Sequence, residues 1–232
     1  MITLALDTST PLGGLCLYSK EKGILGEIRL GVTKTHSEGI LAGIDFLLKA
    51  SKITLHDVDF LTLTIGPGSF TGLRVGLSTV KGLAFSTGLN VVAVPTLRAF
   101  AYSLAFFEYL LCPLIDARKK EIYGAAYQWK GDDLIEVVPE RVYSIEDFLK
   151  GIKGRAIFAG SGAVLYRKRI TELSKDAVFV ENHHNSIIPT AIAIYGLKEA
   201  EKGNFADPIR LTPLYIRKSE AELNFTTLKI QR

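Results

Sequence analysis

The 232-residue sequence predicts an α/β protein made by duplication: two mixed sheets with flanking helices, facing each other across a cleft. Three observations carry this. The order strand, strand, strand, helix, strand, helix, strand, helix can be read twice along the chain. Each half has an aspartate at the end of its first strand, Asp7 and Asp116. Each has a glycine-led turn after its fourth strand, at Gly66 and Gly160. Three meandering strands followed by strand–helix–strand crossovers give a mixed sheet with helices on both faces, and such folds bind ligands at the carboxyl ends of their strands. The two halves are read as residues 1–104 and 105–232.

In the first half, residues 2–6 are a short apolar strand ending at Asp7, and 13–18 and 24–30 are two further strands joined by a polar turn. Residues 37–51 form a helix, because Ile40, Leu41, Ile44, Leu47 and Leu48 recur at helical spacing and His36 or Ser37 can cap it. Residues 58–65 alternate and are rich in strand formers. Residues 70–87 form a helix with Leu73, Leu77, Val80 and Ala84 along one side; 90–94 are a strand, and a helix follows Pro95. The second half reads as strands 110–115, 121–128 and 134–138, a short helix 144–151 opened by Ser144, strand 155–159, helix 161–171, strand 177–180 and a helix over 187–202 starting near Pro189. The polar stretch 219–232 is expected to be disordered or to order on binding.

Composition narrows the classes. With 47% hydrophobic and 22% charged residues the chain buries a sizeable core, which excludes disorder as its main state. The longest uncharged runs, 82–97 and 182–197, are broken by Gly88 and Pro95 and by His183, His184 and Pro189, so no transmembrane helix is expected. No secretory signal is expected, since Asp7 interrupts the N-terminal apolar stretch. Two cysteines, Cys16 and Cys112, make neither a disulfide framework nor a zinc cluster, and a reducing cytoplasm is the simplest setting. The net charge of +4 is split evenly: nine basic and seven acidic residues precede position 105, and nineteen and seventeen follow. That argues against a free-standing nucleic-acid reader, while leaving room for weak contact with RNA inside a larger complex.

The sharpest local signal is Gly66-Pro67-Gly68-Ser69-Phe70-Thr71-Gly72-Leu73-Arg74, which joins an apolar strand to a helix. Its glycines permit close backbone approach, Ser69 or Thr71 can cap the helix, and free N–H groups there can hold an anion. Arg74 opposes the helix dipole, the placement of a contact residue. The same string also reads as a plain connecting turn. Asp7-Thr8-Ser9-Thr10, followed by Gly13-Gly14, can hold a phosphate or a hydrated metal, or form an Asx turn between strands. Asp116-Ala117-Arg118 and Gly160-Ser161-Gly162 stand at the equivalent points of the second half and would face the same cleft; a surface ion pair is the simpler account of Asp116 and Arg118. His36-Ser37-Glu38 are neighbours on a helix start and diverge, so a cap or interface contact fits them better than a triad. His183-His184 are adjacent and chelate poorly, His56 stands alone, and no HxxxH spacing exists in the chain. Phe46 and Ala42 lie off the Leu41–Leu48 side of the first helix, and apolar residues on a second face point to burial against a partner or a wider core.

LALDTST at 4–10, HSEGIL at 36–41, GPGSFTGLRVG at 66–76, KGLAF at 81–85, DARKKEIY at 116–123, GSGAVLY at 160–166 and PLYIRKSEAE at 213–222 together resemble the TsaB (YeaZ) family, bacterial subunits for tRNA threonylcarbamoyladenosine synthesis. The resemblance runs from residue 4 to about 222. It implies an actin-like fold of the sugar-kinase/Hsp70 and ribonuclease H-like type. It implies a cytoplasmic scaffold that modifies adenosine 37 of tRNAs reading ANN codons, with a catalytic paralogue, TsaD, and a P-loop ATPase, TsaE. The paralogue holds its metal with an HxxxH pair that this sequence lacks, so neither metal nor catalytic residues are expected here, and a peptidase role would fail for the same reason. Pairing through the N-terminal helices makes His36, Ser37, Glu38, Leu41, Ile44, Leu48, Leu73, Leu77 and Val80 the expected contacts in a four-helix seam, and the lone chain can use the same surface to form a homodimer. Asp7, Thr8, Ser9, Thr10, Gly66, Gly68, Ser69, Thr71, Gly72, Arg74, Asp116, Arg118, Gly160, Ser161 and Gly162 are expected to outline a vestigial phosphate or nucleotide cleft. No cofactor of its own is expected, beyond a nucleotide at the complex interface; tRNA contact would be indirect or weak, and membrane contact absent. Two alternatives stand beside this: a small-molecule kinase or ATPase using Asp7, Asp116 and the glycine turns, and a metallopeptidase-like hydrolase.

Overall fold

The computed structural model describes residues 1–31, 36–104 and 108–217. The first half contains β1 (Ile2–Asp7), β2 (Leu12–Ser19), β3 (Gly23–Gly31), α1 (His36–Ser51), β4 (Phe60–Gly66), α2 (Phe70–Thr87), β5 (Asn90–Pro95) and α3 (Thr96–Ser103). The second contains β6 (Leu110–Asp116), β7 (Ile122–Lys130), β8 (Asp133–Tyr143), α4 (Ile145–Lys150), β9 (Ala156–Ala159), α5 (Ser161–Leu165), α6 (Arg167–Leu173), β10 (Ala177–Phe179) and α7 (Pro189–Glu201). The strand orders are β3-β2-β1-β4-β5 and β8-β7-β6-β9-β10, the same arrangement twice, with the first strand of each half in the middle. In each sheet the first three strands are antiparallel and the last two run parallel to the first. The stretch 219–232 lies outside the described residues.

Three elements differ from the sequence reading, each for a local reason. The strand expected from residue 58 starts at Phe60, because a 3-10 turn over Leu55–Asp57 closes against Thr54; Asp59, just before the strand, meets Ile2 by donating its N–H to the Ile2 carbonyl at 2.9 Å while its carboxylate accepts the Ile2 N–H. β8 runs past Pro139 to Tyr143: it is the sheet edge, and the ladder shifts register opposite Ala126, where the missing N–H is tolerated. The single helix expected over 161–171 is two, broken at Tyr166, where φ −101° and ψ 15° leave helical geometry.

Strand alternation sorts the core into layers. On β1, Leu4 and Leu6 face outward onto Ile40, Ile44 and Leu47 of α1 and Leu77, Val80 and Ala84 of α2. Ala5, between them, faces inward with Cys16, towards Leu97 and Phe100 of α3 and Ile192, Ala193 and Leu197 of α7; Ile115, Tyr127 and Ile157 of the second sheet close that middle layer. The outer face of the second sheet packs on Phe148, Ala163 and Ile170 of α4, α5 and α6. Helix α7 follows the second sheet in sequence but packs on the first, and a β-carbon on its Gly196 would lie 2.3 Å from Thr62 Oγ1. Beyond α7 the chain returns along the first half: Ala206 pairs with Val91 on the β5 edge, Phe205 meets Phe60, and the Leu214 N–H donates to the Ile65 carbonyl at 2.7 Å. Residues 189–214 thus return to the first sheet.

Burial sets the chemistry of the middle layer. It pushes the Cys16 thiol up to about 11; on the outer face of the second sheet burial pushes the Cys112 thiol further, and both are free. Glu140 on β8 is desolvated beside Tyr127, whose hydroxyl donates to Oε2 at 3.3 Å while Oε1 is buried without a hydrogen-bond partner. Burial raises its carboxyl to about 7. A raised carboxyl favours the folded state at pH below the unfolded value and loses that advantage as pH rises through about 7. Glu140→Gln should therefore stabilise the protein at pH 8, by up to about 2 kcal/mol, and change little at pH 5; denaturant titrations at the two pH values check this. Among the described residues no helix is long and apolar enough to cross a membrane.

Candidate functional site

The carboxyl ends of β1, β4, β6 and β9 converge on one side of the molecule, so the turns that follow them meet between the halves. The duplication extends to individual hydrogen bonds there. Asp7 Oδ1 accepts from the Ser9 N–H at 2.9 Å, and Asp116 Oδ1 accepts from the Arg118 N–H at 2.8 Å; both are Asx turns. The two aspartates then diverge. Asp7 is 1% exposed and the same oxygen also accepts from the Ser9 hydroxyl and from Thr64 Oγ1, each at 2.6 Å. Asp116 stays at the cleft edge, with Oδ2 3.9 Å from Arg118 Nε and its N–H donating to Ser161 Oγ at 3.1 Å.

The glycine-rich turn is folded down onto this floor. Ser69 caps α2, its hydroxyl accepting from the Gly72 N–H at 3.2 Å, and its own N–H donates to the Ser9 carbonyl at 2.7 Å. Gly68 and Gly72 lie so close to the β1–β2 turn that a β-carbon would fall 2.2 Å from the Ser9 carbonyl oxygen or 2.0 Å from that of Thr8. The N-cap residue of α2 therefore spends its N–H on the β1–β2 turn. On the other side, the Gly160 N–H donates to Asn185 Oδ1 at 2.8 Å.

The cleft between them has a volume of about 860 Å³. Of the residues expected there, Ser9, Thr10, Gly68, Ser69, Asp116, Arg118 and Ser161 line it, joined by Arg29 and His183. Several do not reach it, a correction to the expectation. Asp7 and Thr8 are buried beneath the floor; Gly66 and Gly72 lie behind it, against Leu214 and Thr8; Gly160 and Gly162 back onto Leu114; Thr71 opens instead into a groove between α1 and α2. Arg74 is turned away from the floor: its guanidinium sits 3.8 Å from the Phe70 ring centre and Nε donates to Tyr215 Oη at 2.9 Å.

The α1–α2 face is the second feature. Of the expected seam contacts, Ile44, Leu73, Leu77 and Val80 are spent on the chain's own core, at most 9% exposed, and cannot reach a partner. Leu48 is half-buried, and the side chains of His36, Ser37 and Glu38 lie outside the described residues. Leu41 is exposed and shares a groove with Phe70; Phe46 on α1 and Phe85 on α2 are exposed as well, the last 90%. The stripe Thr71, Val75, Ser78, Gly82, Phe85 repeats at helical spacing, and the groove beside it runs from Leu41 and Phe70 to Ser78 and Thr79. Of these, Phe70 and Phe85 stand in the sequence only as members of the strings GPGSFTGLRVG and KGLAF, since helical periodicity marks only the buried side of α2. Tyr215 and Arg217 were also missed as site residues, because nothing in a short C-terminal string without periodicity says what it folds against.

A family model described as TsaD, tRNA N6-adenosine threonylcarbamoyltransferase, matches residues 17–224. The tRNA threonylcarbamoyladenosine biosynthesis protein TsaB of Bacillus subtilis is 31% identical over 227 residues, covering 96% of each chain, and that of Haemophilus influenzae is 32% identical, covering 92% of each. A solved Pseudomonas aeruginosa protein described as similar to peptidase YEAZ superposes with a TM-score of 0.77 at 25% identity, over 93% of this chain and 99% of that one.

Proposed function

This chain belongs to the TsaB family and is a tRNA threonylcarbamoyladenosine biosynthesis protein with an actin-like fold, and from that premise we propose that it is the non-catalytic subunit that activates a TsaD-like transferase. The observation that carries the reading is the exposed apolar face of α1 and α2. A monomer gains nothing by holding Phe85 at 90% and Phe46 at 62% exposure on these two helices, whereas two such helix pairs, closed against each other, would bury apolar surface in a four-helix seam. The small residues Gly39, Ala42, Ser78 and Gly82 let the helices approach closely. The partner is a TsaD-like paralogue presenting the same pair of helices, and in its absence a second copy of this chain takes the place.

The floor of the cleft favours scaffolding over catalysis. The three hydrogen bonds on Asp7 Oδ1, together with the Ser9 carbonyl taken by Ser69, commit to internal turns the groups that a phosphate or metal would need. The chain has no cofactor of its own on this reading; any nucleotide sits at the complex interface, a TsaE-like ATPase completes the assembly in the cytoplasm, and the kinase and peptidase alternatives are set aside. Reconstituted threonylcarbamoyl transfer to tRNA tests it. The chain alone should transfer nothing, and adding it to the TsaD-like and TsaE-like proteins should raise the rate at least tenfold, about 1.4 kcal/mol of barrier. Transfer by the isolated chain, or an equal rate without it, refutes the proposal.

A further inference from the structure

A two-lobed protein closes on a ligand by swinging its halves about a hinge. Here the chain passes to the second half after α3 and returns ahead of α7, and the two crossings lie side by side, with the Ile188 N–H donating to Ser103 Oγ at 2.9 Å. That end of the cleft carries Phe100 and Ser186. At its other end the cleft shares Phe70, Ala117 and Arg118 with a second cavity of about 620 Å³, along which residues 214–217 run as a strap. The strap is fixed to the first half by backbone and by rings. The Leu214 N–H donates to the Ile65 carbonyl at 2.7 Å, and a β-carbon on Gly66 would lie 2.7 Å from the Leu214 carbonyl oxygen. Tyr215 stacks on Phe70 with ring centres 5.1 Å apart, and its hydroxyl accepts from Arg74 Nε at 2.9 Å. Two residues on, the same strap is fixed to the second half. Arg217 Nη1 donates to the Ala117 carbonyl at 2.8 Å, and Nη2 pairs with Glu121. Both acceptors belong to the β6–β7 turn, which hydrogen bonds from Ala117 N to Glu121 O and from Glu121 N to Arg118 O close on itself.

We propose that Arg217 is a clasp: it ties the two halves together at the end of the cleft away from the chain crossings, and holds the cleft at one width. An arginine suits the task, because its rigid fork serves a carbonyl and a carboxylate at once. Its side chain is only 24% exposed, so the ion pair is partly sheltered from water and salt. The span is short. Only Ile216 stands between the ring stack on α2 and the guanidinium in the β6–β7 turn. A swing of the second half must break the arginine contacts or peel Tyr215 from Phe70 and Leu214 from Ile65, since N–H···O bonds hold over a range of only about 0.5 Å. Phe70 and Arg74, on which the strap is anchored, also line the groove between α1 and α2. A TsaD-like partner seated in that groove therefore meets a two-lobed subunit of fixed outline, as a scaffold requires. That consequence rests on the function proposed above; the clasp does not.

The test measures the distance between the halves in the full chain. Spin labels on Lys22→Cys, in the exposed β2–β3 turn, and Lys153→Cys, exposed ahead of β9, report it, and the native Cys16 and Cys112 are buried and stay unlabelled. The otherwise unaltered chain should give one narrow distribution, unmoved by ATP with Mg²⁺ or by the TsaD-like partner. Arg217→Ala should widen that distribution about twofold or more, as expected when one of two ties between lobes is cut. Glu121→Ala removes the carboxylate from the opposite side and should widen it in the same way, so the proposal stays testable if either variant folds poorly. Arg210→Ala, on the same strap but paired with Asp207, should leave the width as it was. A distribution that shifts when ATP and Mg²⁺ are added to the unaltered chain overturns the inference, as does an unchanged width in folded Arg217→Ala or Glu121→Ala. Failure of the chain to stimulate transfer is the separate failure of the proposed function and leaves these distances as they are.

Discussion

Phe85→Asp and Phe46→Asp are each expected to weaken capture of the TsaD-like partner by about a hundredfold or more, with thermal unfolding unchanged. Both rings already stand in water in the free chain, so an aspartate there costs the fold almost nothing. In the seam it would place a charge where two helix pairs close, and central aromatic anchors at such contacts account for about 2 kcal/mol or more apiece. Leu41→Asp should act in the same direction, since that side chain is 57% exposed and lines the groove. Leu77→Asp is the contrasting case. Leu77 is 9% exposed and packs between α2 and the first sheet, so its replacement should unfold the protein before any interface can be tested. Pull-down and calorimetry on the four variants separate the two classes. Retained capture by both Phe46→Asp and Phe85→Asp would remove the seam from this face. The same variants should turn any homodimer of the isolated chain into monomer, which sedimentation reads directly.

That contrast also marks where the sequence stops being legible. Periodicity located α1 and α2 and their buried sides, because a helix that covers a sheet needs Ile40, Ile44 and Leu47, or Leu73, Leu77 and Val80, on one stripe. The same periodicity cannot tell a stripe buried by the chain itself from one awaiting a partner, so the expected seam mixes exposed Leu41 with core-facing Ile44, Leu73, Leu77 and Val80. The discriminating signal lies in the apolar residues off that stripe, Phe46 and Ala42 on α1 and Phe85 on α2. The duplicated topology was visible because each half repeats its punctuation: an aspartate after its first strand and a glycine turn after its fourth. The inward rotation of Asp7 was not visible, since it depends on Thr64, fifty-seven positions away, reaching the same oxygen. Nor was the return of residues 203–217 to the first sheet, which rests on backbone pairing at Val91 and Ile65 that no side-chain pattern announces.

Gly72→Ala is expected to destabilise the folded chain by about 2 kcal/mol or more, although it replaces a glycine inside a helix by the best helix former. In an exposed helix the change would gain up to about 1 kcal/mol. Here the added methyl would lie 2.0 Å from the Thr8 carbonyl oxygen and 3.3 Å from the Ser69 β-carbon. Neither neighbour can yield cheaply. Thr8 sits in the turn pinned by the hydrogen bonds of Asp7, and Ser69 is fixed by its cap on Gly72 and its bond to Ser9. The start of α2 must therefore lift from the β1–β2 turn, losing the Ser69–Ser9 bond. For a chain of this size a loss of that order lowers Tm by about 5 °C. Because Phe70 and Thr71 ride on the same turn of α2 and line the groove beside α1, partner capture should weaken together with stability in this variant, whereas the Phe85 variant affects capture alone. Unchanged stability in Gly72→Ala would mean that the close approach of α2 to the β1–β2 turn is not what holds the floor of the cleft closed.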